Sequence, residues 1–103
     1  MDSRTDKGIH RMGSPYVAVA SDQPGFVLAV RQVLAGHYLV ETETDGNRAL
    51  ARLRARPPVV AVVDSRLPPR GGGDLIRRLL DHPATRDLPV IVVYDPDDGG
   101  LSA

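Results

Sequence analysis

Asp64 closes the run PVVAVVDSRL at residues 58–67, in which small and β-branched apolar residues lead to a single acid and then a turn. An uninterrupted apolar run of this length suits a strand of a parallel sheet covered on both faces. Ligands of open α/β sheets gather just beyond the carboxyl ends of such strands. A second acid, Asp22, stands one residue past another short apolar run, Tyr16–Ala20 (YVAVA), with Ser21 between them. If both runs are strands of one parallel sheet, Asp22 and Asp64 share an edge. Two carboxylates there repel each other unless a cation is present, and Mg²⁺ binds through one or two carboxylates with carbonyls and waters. A carboxylate beside such an ion can attack phosphorus to give an aspartyl phosphate. The alternative is that both acids cap helices or sit solvated at loop starts. Spacing alone leaves these two readings level.

The elements that must position these residues follow from periodicity. After Tyr16–Ala20, Pro24 suits the first turn of a helix, and Phe26, Val27, Val30, Val33 and Leu34 recur at helical spacing up to a stop at Gly36. His37–Thr42 predicts a second strand. A second helix is predicted over residues 46–55, with Ala49, Leu50 and Leu53 inward and Arg48, Arg52 and Arg54 outward. Pro57 and Pro58 end it and launch a third strand, Val59–Val63. Leu75, Ile76, Leu79 and Leu80 predict the inner face of a third helix that stops near His82 and Pro83. Leu88–Tyr94 predicts a fourth strand. Strict β-α-β-α-β-α-β alternation implies an α/β fold with a parallel sheet, right-handed crossovers and helices on both faces. Residues 1–15 are polar and without periodicity, which predicts a disordered tail. Residues 95–103 (DPDDGGLSA) predict a flexible end.

Composition narrows the function. The 103 residues suffice for one domain, and Lys+Arg 13 against Asp+Glu 13 leaves no net charge to draw the chain to nucleic acid or membrane. Cys is absent, which excludes disulfides and thiolate metal sites and fits a reducing cytoplasm. No apolar run approaches the roughly 20 residues of a membrane span.

Smaller features carry less. Gly71, Gly72 and Gly73 match no phosphate-loop pattern and read as a flexible turn into the third helix. The arginines at 48, 52, 54 and 56 read as a solvated helix face rather than an anion stripe, because no aromatics interleave with them. His10, His37 and His82 have no metal-site spacing, and His82 near a helix C-terminus suits the helix dipole.

Taken together, YVAVASDQP and the stretch from Leu34 to Val93 resemble the CheY-like receiver domain of bacterial two-component response regulators, over residues 16–94. The most specific match is the pattern D-x-x-[LM]-P-x-x-(x)-G at Asp64, Leu67, Pro68 and Gly72, supported by the phrase from His82 to Val93. The resemblance implies a flavodoxin-like fold and places the phosphoacceptor at Asp64. It implies Mg²⁺ as cofactor, held by Asp22, Asp64 and the backbone carbonyl of Arg66. Ser21 falls where the family carries another acid, so its hydroxyl is expected to serve the metal only weakly, through a water. Tyr94 falls on the switch position, which is usually Thr or Ser.

The pattern also departs from the family. It ends with the fourth strand, so the fold is expected to lack the last strand and helices, together with the lysine that pairs with the phosphoryl group. Lys7 is the only lysine, and it lies in the predicted tail. The fourth strand becomes an apolar edge, a liability in a free monomer unless a second copy or another protein covers it. Two functions follow. One is a phosphorelay module that accepts a phosphoryl group from a sensor histidine kinase, acting on itself at most rather than as an enzyme on a metabolite. The other is a degenerate receiver that binds a partner without phosphorylation, or a truncated remnant. No nucleic-acid or membrane partner is expected, and the chain is expected in the cytoplasm.

Overall fold

The computed structural model describes residues 15–94. The expected disordered tail, apart from Pro15, and the expected flexible end with Asp95, Asp97 and Asp98 lie outside the described residues. Four strands and three helices alternate along the described chain: β1 Tyr16–Ala20, α1 Pro24–Leu34, β2 Leu39–Glu43, α2 Gly46–Ala55, β3 Val60–Asp64, α3 Gly72–Leu80 and β4 Val90–Val93. All pairings are parallel, in the order β2-β1-β3-β4. The expected flavodoxin-like parallel architecture is therefore present, with these four strands and three helices.

The register explains why the chemistry-bearing positions meet. Ala20 pairs with both Glu43 and Val63, and Asp64 pairs with Val93. The residues just after β1 and at the end of β3 thus lie side by side at one edge of the sheet.

Element boundaries moved where turn chemistry overrode the apolar pattern. The second strand begins at Leu39 rather than His37, because the amides of His37 and Tyr38 both bond to the Leu34 carbonyl as α1 unwinds around Gly36 at φ +82°. β4 begins at Val90, since Pro89 contributes only its carbonyl, to the Ala61 amide at 3.0 Å. β3 runs from Val60 and includes Asp64 as its last residue. The α2 bounds agree with the sequence, and the Asp45 side chain caps that helix by accepting from the amides of Asn47 and Arg48 at 2.8 and 3.1 Å.

Side-chain alternation divides the sheet into two faces. Ala18, Ala20, Ala61 and Val63 meet Ala49, Leu50 and Leu53 of α2 and Leu75 and Leu79 of α3. On the opposite face Val17, Val19 and Val62 meet Phe26, Val27, Val30 and Leu34 of α1. α1 has no fully buried residue, and Val33, expected on its inner side, is 75% exposed. Leu80, expected on the inner side of α3, is also exposed, because the helix ends there and the chain turns away.

The Arg-rich side of α2 is not simply solvated. Arg52 bonds both Glu41 and Glu43 on the outer strand β2, and Arg56 bonds Glu41 and stacks over the Tyr16 ring at 4.0 Å. The Glu43 hydrogen bond raises the Arg52 pKa above its ordinary value. The acids tie α2 to the edge strand.

Candidate functional site

The site is built where β3 ends. Asp64 is 5% exposed, and the chain folds tightly over it. Leu67, fully buried, anchors the following loop, and its amide bonds the Asp64 carbonyl at 3.1 Å. Gly71 sits at φ +88°, a conformation natural to glycine. Gly72 then packs so closely that a Cβ there would lie 2.5 Å from the Asp64 carbonyl oxygen and 2.8 Å from the Val63 Cγ1. The glycine run is therefore not a loose turn. Gly72 has no room for a side chain, and α3 starts directly against the end of β3.

The Asp64 carboxylate is held at both oxygens. Ser21, fully buried, donates its hydroxyl proton to Oδ2 at 2.8 Å. The Arg66 amide donates to Oδ1 at 2.9 Å, and the Arg66 Nε lies 3.7 Å from the same oxygen. The Ser21 hydroxyl in turn accepts from the Gln23 amide at 3.0 Å, while its own amide bonds the Glu43 carbonyl at 3.0 Å. Ser21 is thereby locked between β2, the start of α1 and Asp64.

The other expected site residues are placed differently. Asp22 follows Ser21 at the same sheet edge but is exposed, and its Oδ1 accepts from the Gln23 side-chain amide at 2.8 Å. Tyr94 follows the β4 residue that pairs with Asp64 and is 52% exposed. The structure thus brings Ser21, Asp64 and Arg66 into direct contact and leaves Asp22 and Tyr94 at the rim. Sequence reasoning assigned Arg66 only its carbonyl. Its side chain beside Asp64 was signalled by nothing more than a cation two residues after a buried acid. Gly72, a bare pattern match in the sequence, packs against the strand end with no room for a side chain.

Among the described residues no group of three His, Cys, Asp or Glu side chains could hold a metal ion. The donors expected for a cation, the carboxylates of Asp22 and Asp64 and the Arg66 carbonyl, are all oxygens, and Asp22 is open to water. That suits Mg²⁺, which keeps several waters and needs only one or two carboxylates. By donor type these residues suit a hard divalent ion, at low ligand charge.

A parallel sheet with a buried acid at a strand's carboxyl end, held from the neighbouring strand and covered by a glycine-started helix, defines a CheY-like α/β domain. No profile of a known protein family matches the chain. Individual relatives do. The chain is 35% identical over 80 residues to the phosphate regulon transcriptional regulatory protein PhoB of Rhizobium meliloti, covering 77% of this chain and 35% of PhoB. It is 33% identical over 69 residues to the response regulator PleD of Caulobacter vibrioides, covering 67% of this chain and 15% of PleD. The N-terminal domain of a response regulator receiver protein from Methanoculleus marisnigri superposes with a TM-score of 0.70 at 28% identity, over 84% of this chain and 74% of that one. The chain belongs to the response regulator receiver domains, proteins of two-component signalling. It spans about a third of the length of PhoB and less of PleD. Receiver domains are signalling domains rather than enzymes of metabolism. No helix among the described residues is long and apolar enough to cross a membrane.

Proposed function

We propose that residues 16–94 form a phosphoryl-accepting receiver whose acceptor is Asp64, with a sensor histidine kinase as donor and the cytoplasm as its place of action. The observation that carries this reading is a buried carboxylate at the end of β3, fixed at both oxygens by Ser21 and the Arg66 amide and aligned with the end of β1. A carboxylate oxygen of Asp64 attacks phosphorus as the P–N bond of a phosphohistidine breaks, and the imidazole nitrogen leaves with that electron pair. Asp22, Asp64 and the Arg66 carbonyl would hold Mg²⁺, which supplies positive charge against the phosphoryl oxygens. The chain's own residues orient the acceptor. Gly72 packs against the strand end, and the Arg66 guanidinium stands beside Oδ1. Tyr94 at the rim takes the switch position.

The test is incubation with acetyl phosphate and Mg²⁺, read by intact mass or phosphate-affinity electrophoresis. A single Mg²⁺-dependent adduct on the wild type, absent from Asp64→Asn, is expected. Equal labelling of the variant, or no adduct, overturns the reading.

A second reading, a phosphorylation-independent interaction module, is favoured by the apolar edge. Ile91 of β4 is 53% exposed and borders an open groove with Val33 and Tyr38. Pairing of β4 with a second copy or another protein would cover that edge. Concentration-dependent association that persists in Asp64→Asn supports it, and a strictly monomeric chain removes its basis.

A further inference from the structure

The Ser21 hydroxyl has one proton to give, and it gives it to Asp64 Oδ2 at 2.8 Å. It also accepts the Gln23 amide at 3.0 Å, so neither its proton nor that lone pair is directed to a water. Both residues are buried, Ser21 completely. Buried hydrogen bonds to a charged group are among the stronger ones in proteins, and breaking one strands a polar group. On the other side, Oδ1 is served by the Arg66 amide, with the guanidinium Nε at 3.7 Å. The carboxylate is therefore satisfied by neutral donors and a nearby protein cation.

We infer that Ser21 is a positioning residue that holds Asp64 in place of a divalent cation and competes with such a cation for Oδ2. The positive end of the hydroxyl dipole points at Oδ2, so that oxygen is already engaged. A cation reaching Oδ2 must meet that hydrogen or turn the hydroxyl out of its bond in a space with little freedom to re-pair it. Ser21 thus keeps the acceptor ordered at low free Mg²⁺ and makes cation binding weak. A hydroxyl serving a metal-bound water would do the opposite, strengthening the cation's hold. This inference rests on the cation-assisted reading of Asp64 proposed above, but its test uses Mg²⁺ alone, without any phosphoryl donor.

Calorimetric titration of the full chain with Mg²⁺ decides between them. Removing the competing donor in Ser21→Ala is expected to tighten Mg²⁺ binding by about tenfold, the equivalent of losing one hydrogen bond to a charge. Ser21→Thr keeps the hydroxyl and is expected to bind like the wild type. Should the alanine variant unfold, Ser21→Cys retains the volume with a weaker donor and is expected to show the same direction at smaller size. Unchanged or weaker binding in the alanine and cysteine variants overturns the inference. Ser21→Asp supplies a further carboxylate and should bind most tightly. If even that variant takes no Mg²⁺, both this inference and the cation's role in the proposed function fall. If Ser21→Ala binds more tightly while no Asp64 adduct forms with acetyl phosphate, the inference stands and only the phosphoacceptor reading fails.

Discussion

The two faces of the sheet are built from different residues and reach different degrees of closure. Toward α2 and α3 the sheet presents the small side chains Ala18, Ala20 and Ala61 beside Tyr16 and Val63, and the helices answer with Leu50, Leu53, Leu75 and Leu79. Small residues on the sheet let two helices approach closely, and their leucines fill the layer. Toward α1 the sheet presents Val17, Val19 and Val62, which fill their own space and meet a single helix. The remainder is an open groove of about 540 Å³ lined in part by Val30, Val33, Tyr38, Val62 and Ile91. Similar apolar patterns in α2, α3 and α1 thus lead to unequal burial, because burial depends on how many elements share a face. The Asp64 carbonyl stands against Gly72, with no room for a side chain between them.

Substitutions on the closed face should be the costly ones. Leu53→Ala removes a fully buried side chain between α2 and the sheet. It is expected to cost about 3 kcal/mol by urea unfolding, the range for large-to-small changes in a packed core. A cost as small as that of an open-face substitution would break the contrast.

Tyr16 provides a sharper probe of the same face. Its hydroxyl donates to the Arg56 carbonyl, and burial pushes its pKa above the ordinary 10.0, against the opposing charge of Arg56. A folded-state pKa raised above the unfolded value means stability is full below pH 10.0 and is lost as pH rises through the folded value. Unfolding measured at pH 8 and pH 11 should therefore show a loss for the wild type. Tyr16→Phe should be about 1 kcal/mol less stable at pH 8 for want of the hydrogen bond, with a flatter alkaline limb. An unchanged alkaline limb in the variant would mean Tyr16 is not the group titrating.

The smallest effect belongs to the open face. Val33→Ser, at a position 75% exposed, is expected to leave stability within about 0.5 kcal/mol. A loss several times larger would show that the groove is closed in solution and would erase the difference between the faces.

The sequence was most readable where local pattern and local chemistry agree. α2 was legible to the residue, since Pro57 and Pro58 stop it, and Ala49, Leu50 and Leu53 are all buried as their spacing implied. The order of elements, the parallel sheet and the strand ending in Asp64 were legible for the same reason: periodicity, prolines and glycines act within a few residues. The site was half legible. Asp64, Ser21 and Asp22 could be placed at one edge from alternation alone, but their contacts could not.

Amino-acid order by itself therefore determined which segments are strands and helices, and that two acids and a serine stand at strand ends. Only the tertiary structure decided that Ser21 rather than Asp22 touches Asp64, through a bond between residues 43 positions apart. It also decided that Arg52 turns to the edge-strand acids instead of water, and that Val33 faces an open groove instead of a core. The physical reason is common to all three. Backbone conformation is set by neighbours in sequence, whereas hydrogen-bond partners and burial are set by whichever distant elements arrive beside a residue.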